Sequence, residues 1–217
     1  TVESAYWGHG RTFEYWSHAA CILPVSAFPQ FAFRRRALAP KRERWGASHQ
    51  AIEAVRGALR ANGPQTATEL GGARRSSGWW EWSDAKNAVE WMLAVGEVVV
   101  TDRRSWKRVY DLAEREIHTE PTSDWVDDRG VQGPTDADCI RHLLLASMRT
   151  LGIGTLDDIR DVHRLRGNIG TDGAYADARV LQREFQALLD AGSIVRTRVE
   201  GWTDDVFADP AALQRIA

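Results

Sequence analysis

One ordered set of patterns occurs twice along the 217-residue chain, and it constrains the fold more than any other feature. In each copy two helical patterns precede a third, which ends at a glycine and leads into a strand, a turn and a returning strand. The junction reads LAVGEVVV over 93–100 and LDAGSIVR over 189–196. Three helices followed by a hairpin is the order of a winged helix, a helix-turn-helix with a β-hairpin wing.

The first copy contains specific start and stop signals. Ser48 is placed as the N-cap of a helix whose apolar positions recur at helical spacing and which ends at 62–64. Thr66 and Glu69 have capping-box spacing, which predicts a short helix over 66–70. Ser83 is the expected cap of the third helix, which ends at Gly96. Strands are predicted over 97–100 and 107–112, joined by a turn over 101–106.

The second copy follows an irregular, acidic stretch over 119–135. Apolar residues at helical spacing predict helices over 140–148 and 180–189, and residues 154–159 repeat the Thr66 pattern between them. A strand is predicted over 193–199, with a turn at 200–201 and a returning strand from Trp202 onward. The chain is therefore predicted to be mainly helical, an α+β protein with small β-hairpins. Its predicted domains are the end of a first winged helix (1–45), a second winged helix (46–118), an acidic linker (119–135) and a third winged helix (136–217).

The N-terminal region carries the only candidate catalytic pair. Residues 13–23 have a helical composition that stops at Pro24, and 28–38 are expected to continue as a second helix. On a helix, Glu14 and His18 lie four residues apart and share a face. Such a pair could support acid–base chemistry, or it could simply satisfy its own charges in a groove.

Clustered cations and aromatic residues point to nucleic acid. A helix-turn-helix places the start of its third helix in the major groove, so Lys86 and Asn87 are candidates for phosphate or base contacts. Trp79, Trp80, Trp82 and Trp91 crowd the same region and are either core anchors or a stacking surface. Two further groups of cations are candidate phosphate contacts, although each could also be a solvated face: Arg34, Arg35, Arg36, Lys41, Arg42 and Arg44 in one, and Arg103, Arg104, Lys107 and Arg108 in the other.

The remaining composition excludes several classes of protein. Net charge is −2, and no run of about 18 apolar residues or signal-peptide pattern is present. The sequence has no P-loop, no G-x-S-x-G and no H-E-x-x-H. Cys21 and Cys139 are far apart in the sequence, so we do not expect a zinc site. We expect both cysteines to be reduced thiols. We expect a cytoplasmic, nucleoid-associated monomer without metal or cofactor.

Several of these segments resemble one known family. Phe13–Pro24 (FEYWSHAACILP) and Ser77–Lys86 (SGWWEWSDAK) resemble signatures of the AlkZ-like crosslink-repair DNA glycosylases, and 96–104, 108–115, 151–159 and 188–192 are similar to later parts of that family. The resemblance implies three tandem winged helices and a β-barrel around double-stranded DNA. It also implies a monofunctional enzyme that hydrolyses the N-glycosidic bond of alkylated purines, including crosslinks through guanine N7.

The chain departs from that family pattern in three places. No Gln-x-Gln or Gln-x-Asp catalytic motif precedes Phe13, Ala19 stands where relatives often carry Glu, and no barrel follows the third module. We therefore expect an internal portion of such a protein, or a truncated relative, that binds DNA. The alternatives are a winged-helix transcription regulator without catalytic activity, which would read one DNA sequence, and a protein-interaction scaffold, which would not bind DNA.

Overall fold

The computed structural model describes residues 6–7, 11–71, 83–117, 125–126, 132–165 and 176–216. It divides into two compact units. Unit 1 comprises Thr1–Tyr15, Ala20–Phe28 and Arg35–Glu120, and unit 2 comprises Trp16–Ala19, Pro29–Arg34 and Pro121–Ala217. Among the described residues, no helix has the length and apolarity needed to cross a membrane. The predicted boundaries of three winged-helix domains stay a prediction.

The N-terminal signature forms a hairpin, so the predicted helix over 13–23 is wrong. Strand β1 (Thr12–Trp16) and strand β2 (Ala20–Pro24) pair with each other. The physical reason lies in composition, because aromatic side chains fit the pleated surface of a strand better than the crowded face of a helix. Glu14 consequently lies in β1 and His18 in the bend after it, so the two do not share a helical face as predicted.

The following segment is helical in part. Short 3-10 turns occupy Val25–Ala27 and Pro29–Phe31, and helix α1 (Ala32–Leu38) begins only after them. A further 3-10 segment spans Ala39–Trp45. The helix predicted over 28–38 is therefore confirmed from residue 32 onward. Pro29, which has no backbone N–H, lies in the tighter turn that precedes it.

The remainder of unit 1 follows the first predicted copy closely. Ser48 accepts a hydrogen bond from the Ala51 N–H at the start of helix α2 (His49–Asn62), and Ser83 does the same for helix α3 (Asp84–Val95). Strands β3 (Gln65–Thr66), β4 (Val98–Arg104) and β5 (Lys107–Leu112) form an antiparallel sheet in the order β3-β5-β4. A short helix α4 (Ala113–Glu116) follows. The two long helices pack together and bury Ile52, Val55, Leu59, Ala88, Val89 and Met92.

Two local predictions in unit 1 have different outcomes. The Thr66 and Glu69 capping-box bonds are present, since each accepts from the other's backbone N–H, but residues 67–71 form a turn rather than a helix. Gly96 ends α3 as predicted, with φ of 76°. A Cβ there would collide with the Arg35 Cδ atom, so both the left-handed backbone and the close approach favour glycine.

Unit 2 follows the second predicted copy. It contains a small hairpin of β6 (Trp125–Val126) and β7 (Gln132–Gly133), then helix α5 (Asp136–Leu151). Thr135 and Asp138 form a capping box at its start, as Thr155 and Asp158 do for helix α6. The remaining elements are β8 (Ile153–Thr155), α6 (Leu156–Val162), α7 (Ala178–Asp190), β9 (Val195–Thr197), β10 (Val206–Ala208) and α8 (Pro210–Ile216).

The two units share one order of elements. In each, a long helix leads to a short strand, and a later helix leads directly into a hairpin. The short strand pairs with the second strand of that hairpin, giving β3-β5-β4 in unit 1 and β8-β10-β9 in unit 2. The repeat inferred from the sequence therefore corresponds to a repeated topology, and the mainly helical α+β fold is confirmed.

Candidate nucleic-acid interface

The four cations of the β4–β5 hairpin, which we call the first wing, divide into two pairs. Arg104 and Lys107 are exposed beside the turn, together with Ser105 and Trp106. Arg103 and Arg108 are half-buried and lie one position closer to the body of the unit. The sequence placed all four together, but only the pair next to the turn is exposed, and within it Arg104 pairs with Glu69 at 3.5 Å on the surface.

The inner pair is held by the buried carboxylate of the N-terminal signature. Glu14 is 4 % exposed. Its Oε1 accepts from the Arg103 Nε at 2.7 Å, and its Oε2 accepts from the Arg108 Nε at 2.7 Å. With both oxygens bonded to guanidinium groups, Glu14 is placed to anchor the wing.

A second buried carboxylate continues this network. Glu90 on α3 accepts from the Tyr110 hydroxyl at 2.8 Å, from Lys86, and from Arg108 at 3.3 Å. Burial alone would raise the pKa of Glu90, but Lys86, Tyr110 and Arg108 outweigh it, so the pKa lies below its ordinary value. Burial, and then the negative charge of Glu90, raise the pKa of the Tyr110 hydroxyl far above its ordinary value.

Lys86 and Asn87, which the sequence assigned to a DNA groove, are half-buried at the start of α3. Lys86 is directed to Glu90 and to the Tyr110 hydroxyl at 3.3 Å. Asn87 lies against Gly46, where an added Cβ would come within 3.2 Å of its amide nitrogen. Trp91 is buried in the core, and Trp79, Trp80 and Trp82 lie outside the described residues.

The cations of the basic segment over 34–44 also differ in their surroundings. Arg34 is 2 % exposed, and its guanidinium donates to backbone carbonyls of unit 2, including Arg164 at 3.0 Å. Arg35 stacks over the Phe28 ring at 3.8 Å and donates to the Phe28 carbonyl. These two side chains hold the fold. Among the others, Arg44 is exposed, and Arg36, Lys41 and Arg42 are half-buried.

The middle of the signature, Trp16–Ala19, belongs to unit 2. Ser17 is buried, and its hydroxyl lies 2.7 Å from the His163 Nδ1. His18 is half-exposed, with its Nδ1 3.1 Å from the Asp161 carbonyl oxygen and its Nε2 2.9 Å from an Arg164 nitrogen. Sequence reasoning missed the Ser17–His163 contact because no local spacing connects residues 146 positions apart.

His163 should make the stability of unit 2 depend on pH. Burial, and then the nearby positive charges of Arg34 and His142, lower its pKa to about 4. Below about pH 6.5 the unfolded chain therefore takes up a proton that the folded chain does not, and the free energy of unfolding falls as the pH drops towards about 4. From about pH 7 to about pH 5 we expect a loss of about 1–2 kcal/mol attributable to this residue.

Urea unfolding of the wild type and of His163→Gln at both pH values measures this loss. The variant should lose less stability than the wild type over that interval, since the other titrating groups are common to both proteins. An equal loss in the two proteins would show that His163 titrates normally in the folded state.

Two further observations concern thiol and metal chemistry. Cys21 and Cys139 are free, as predicted. Among the described residues no group of three His, Cys, Asp or Glu side chains could hold a metal ion.

Trp106, at the turn of the first wing, is 88 % exposed, and the sequence interpretation assigned it no separate role. A tryptophan inside a two-residue turn between cations was the signal that could have identified it.

Comparison with known proteins agrees with this architecture. A family model described as "DNA glycosylase AlkZ-like" matches residues 1–217. The solved structure of the Streptomyces sahachiroi DNA glycosylase AlkZ superimposes with a TM-score of 0.56 at 16 % identity, over 95 % of this chain and 54 % of that one. The chain thus spans about half the length of that relative, and the likeness supports a shared fold. Because the family model covers every residue, this chain belongs to the AlkZ-like DNA glycosylase family.

Proposed function

We propose that this chain is the DNA-binding part of a repair glycosylase that hydrolyses the N-glycosidic bond of alkylated or crosslinked purines. Family membership over the whole chain is the observation that carries the proposal. In that reading the partner is double-stranded DNA, the two units are two winged helices, and the protein acts as a cytoplasmic monomer without a cofactor.

The chemistry of such a reaction fits a chain of this kind. Alkylation at N7 gives a purine a positive charge, so the base leaves with little acid assistance. The remaining requirements are to position water and to stabilise an oxocarbenium-like sugar. We do not place Glu14 in that step, since its oxygens are taken by Arg103 and Arg108. His18 stays a prediction as a supporting residue.

The first wing supplies the phosphate contacts that we propose. Arg104 and Lys107 project at its tip, where they can reach a duplex without dismantling the Glu14 network. Arg44 is the exposed member of the other basic segment and joins the proposed surface, with Arg36, Lys41 and Arg42 as half-buried neighbours. Arg34 and Arg35 are left out of it, because each is engaged with backbone carbonyls.

The start of α3 favours a repair protein over a transcription regulator. A regulator needs free donors and acceptors there to read base edges. In this unit Lys86 is half-buried and directed to Glu90, and Asn87 is half-buried against Gly46, so both are engaged within the unit. Binding through phosphates at the wing, with little selection among sequences, is what this arrangement supports.

Removing both tip cations tests the proposed surface. In Arg104→Ala with Lys107→Ala, we expect affinity for a duplex to fall about tenfold or more at about 0.1 M salt, because two phosphate contacts are lost. The slope of log K against log salt should decrease by about 2, since each contact releases about one counterion. Fluorescence anisotropy across a salt series measures both quantities.

Unit 2 offers a matched control. Arg196 and Arg198 are exposed on or beside β9 of the corresponding hairpin, and Arg196 pairs with Asp205 at 2.6 Å. The double variant Arg196→Ala with Arg198→Ala removes the same charge and should leave the salt slope nearly unchanged. Equal effects from the two double variants would mean that net charge, and not the first wing, determines binding.

A further inference from the structure

The turn of the first wing displays a tryptophan where the backbone favours a different residue. Ser105 has φ of 49° and Trp106 has φ of 66°, so both lie in the left-handed region typical of two-residue hairpin turns. Asn and Gly are preferred at such positions, whereas a bulky side chain with positive φ is an outlier. Turn formation therefore does not explain why residue 106 is tryptophan.

The side chain gains nothing from packing within its own unit. Trp106 is 88 % exposed, while Trp7 and Trp91 in the same unit are 9 % and 8 % exposed. Indole is a large apolar group, and leaving it in water forgoes a substantial free energy of burial. An unfavourable backbone and an unburied indole at one position indicate selection for an external contact.

The backbone of the turn that carries this indole is held by the network described above. The Arg103 Nη1 donates to the Trp106 carbonyl oxygen at 2.9 Å, and the other nitrogens of Arg103 are bound to the buried Glu14. The buried Glu14 carboxylate thus positions Arg103, and Arg103 in turn stabilises the turn. The tip is pre-organised, which lowers the ordering cost of inserting its side chain into a partner.

The residues on either side of the indole define the kind of partner. Arg104 and Lys107 are exposed on both sides of the turn. An apolar wedge between two cations matches the base stack of a duplex, whose phosphates line the edge of each groove. Proteins that insert an apolar side chain between base steps unstack and kink the DNA.

We infer that Trp106 is the residue with which this protein enters the duplex, stacking on or between bases while Arg104 and Lys107 hold the flanking phosphates. The inference rests on the proposed function and adds a specific role for one side chain. A glycosylase acting on a bulky purine needs access to a bond inside the stack, and local unstacking supplies that access.

A short duplex carrying 2-aminopurine in place of one adenine tests this role, because unstacking of that base increases its fluorescence. The wild-type chain should bind the duplex and raise the emission. Trp106→Ala should weaken binding about 5- to 150-fold, the range found when base–aromatic stacking is removed, and should abolish the rise in emission at saturating protein. Trp106→Phe should retain most of both signals.

Two further variants separate stacking from other effects. Trp106→Gly suits the left-handed turn better than tryptophan, so its thermal midpoint should be no lower than that of the wild type while its unstacking signal is lost. Trp202→Ala removes the 50 % exposed tryptophan between β9 and β10, a region that also carries Asp204 and Asp205, and should leave both signals unchanged.

The outcomes distinguish this inference from the proposed function. If the wild type does not bind the duplex at low salt, the proposed function itself fails. If it binds and Trp106→Ala binds equally well, or if affinity falls without a change in 2-aminopurine emission, the stacking role is overturned while DNA binding stands. Dependence on Trp106 for anionic phospholipid vesicles but not for the duplex would likewise overturn it, in favour of a membrane surface.

Discussion

Replacement of Glu14 by alanine is expected to lower the free energy of unfolding of unit 1 by about 3 kcal/mol. The carboxylate is 4 % exposed and neutralises Arg103 and Arg108, whose side chains are themselves half-buried. Removing it leaves two guanidinium groups facing each other without their shared acceptor, which costs more than the loss of an ordinary hydrogen bond. Urea unfolding followed by tryptophan fluorescence measures the change.

Two controls define what the result means. Glu14→Gln keeps the shape and one acceptor oxygen, so it should lose less stability than Glu14→Ala. Glu53→Ala removes an exposed carboxylate that pairs with Arg56 at the surface of α2, and we expect no measurable loss there. If Glu14→Ala were as stable as Glu53→Ala, the buried network would not support the wing, and the fixed position of Trp106 would need another cause.

Replacement of Arg34 by alanine is expected to destabilise unit 2 by a similar amount, about 3 kcal/mol. Its guanidinium donates to the carbonyls of Trp16, Ser17, His163 and Arg164 from a position that is 2 % exposed. Without it, those carbonyls lose charge-assisted donors in the interior and the stacked Phe31 ring loses its cation. Chemical denaturation of the variant at neutral pH checks this value.

Arg44→Ala is the matched control, since this arginine is exposed in the same basic segment. It should change the free energy of unfolding by less than about 0.5 kcal/mol. At low denaturant, both variants should be tested for duplex binding. A stable Arg34→Ala protein with weakened DNA binding would support the sequence interpretation of this residue as a phosphate contact and contradict the structural role.

Elements that depend on local signals could be predicted from the sequence. Ser48 and Ser83 both have a side chain that must accept an orphan N–H, and Gly96 has a backbone conformation that other residues avoid, so each marks a helix end without help from distant contacts. The hairpins could be predicted from these helix ends, because a strand that begins directly after the glycine usually pairs with the next strand along the chain.

The errors arose where tertiary contacts decide. Phe13, Tyr15 and Trp16 were assigned to a helix, yet Phe13 and Tyr15 are buried in a strand, and the Tyr15 hydroxyl donates to the Ala94 carbonyl at 2.7 Å. The assignment of Arg34 and Lys86 as DNA contacts stays a prediction, but the sequence could not show that Arg34 donates to the Arg164 carbonyl or that Lys86 is directed to the buried Glu90 carboxylate. Clusters of cations in a sequence do not reveal which of them bind carboxylates or carbonyls within the folded chain.

Binding of the wild-type chain to a fluorescent duplex, unmodified or carrying an N7-alkylguanine, tests the central claim most directly when it is measured across a salt series. We expect binding to both duplexes that weakens steeply with salt and varies little among unrelated sequences, because phosphate contacts at the first wing contribute most of the affinity. Strong preference for one unmodified sequence would contradict it in favour of a transcription regulator, and absence of binding at low salt would contradict it altogether.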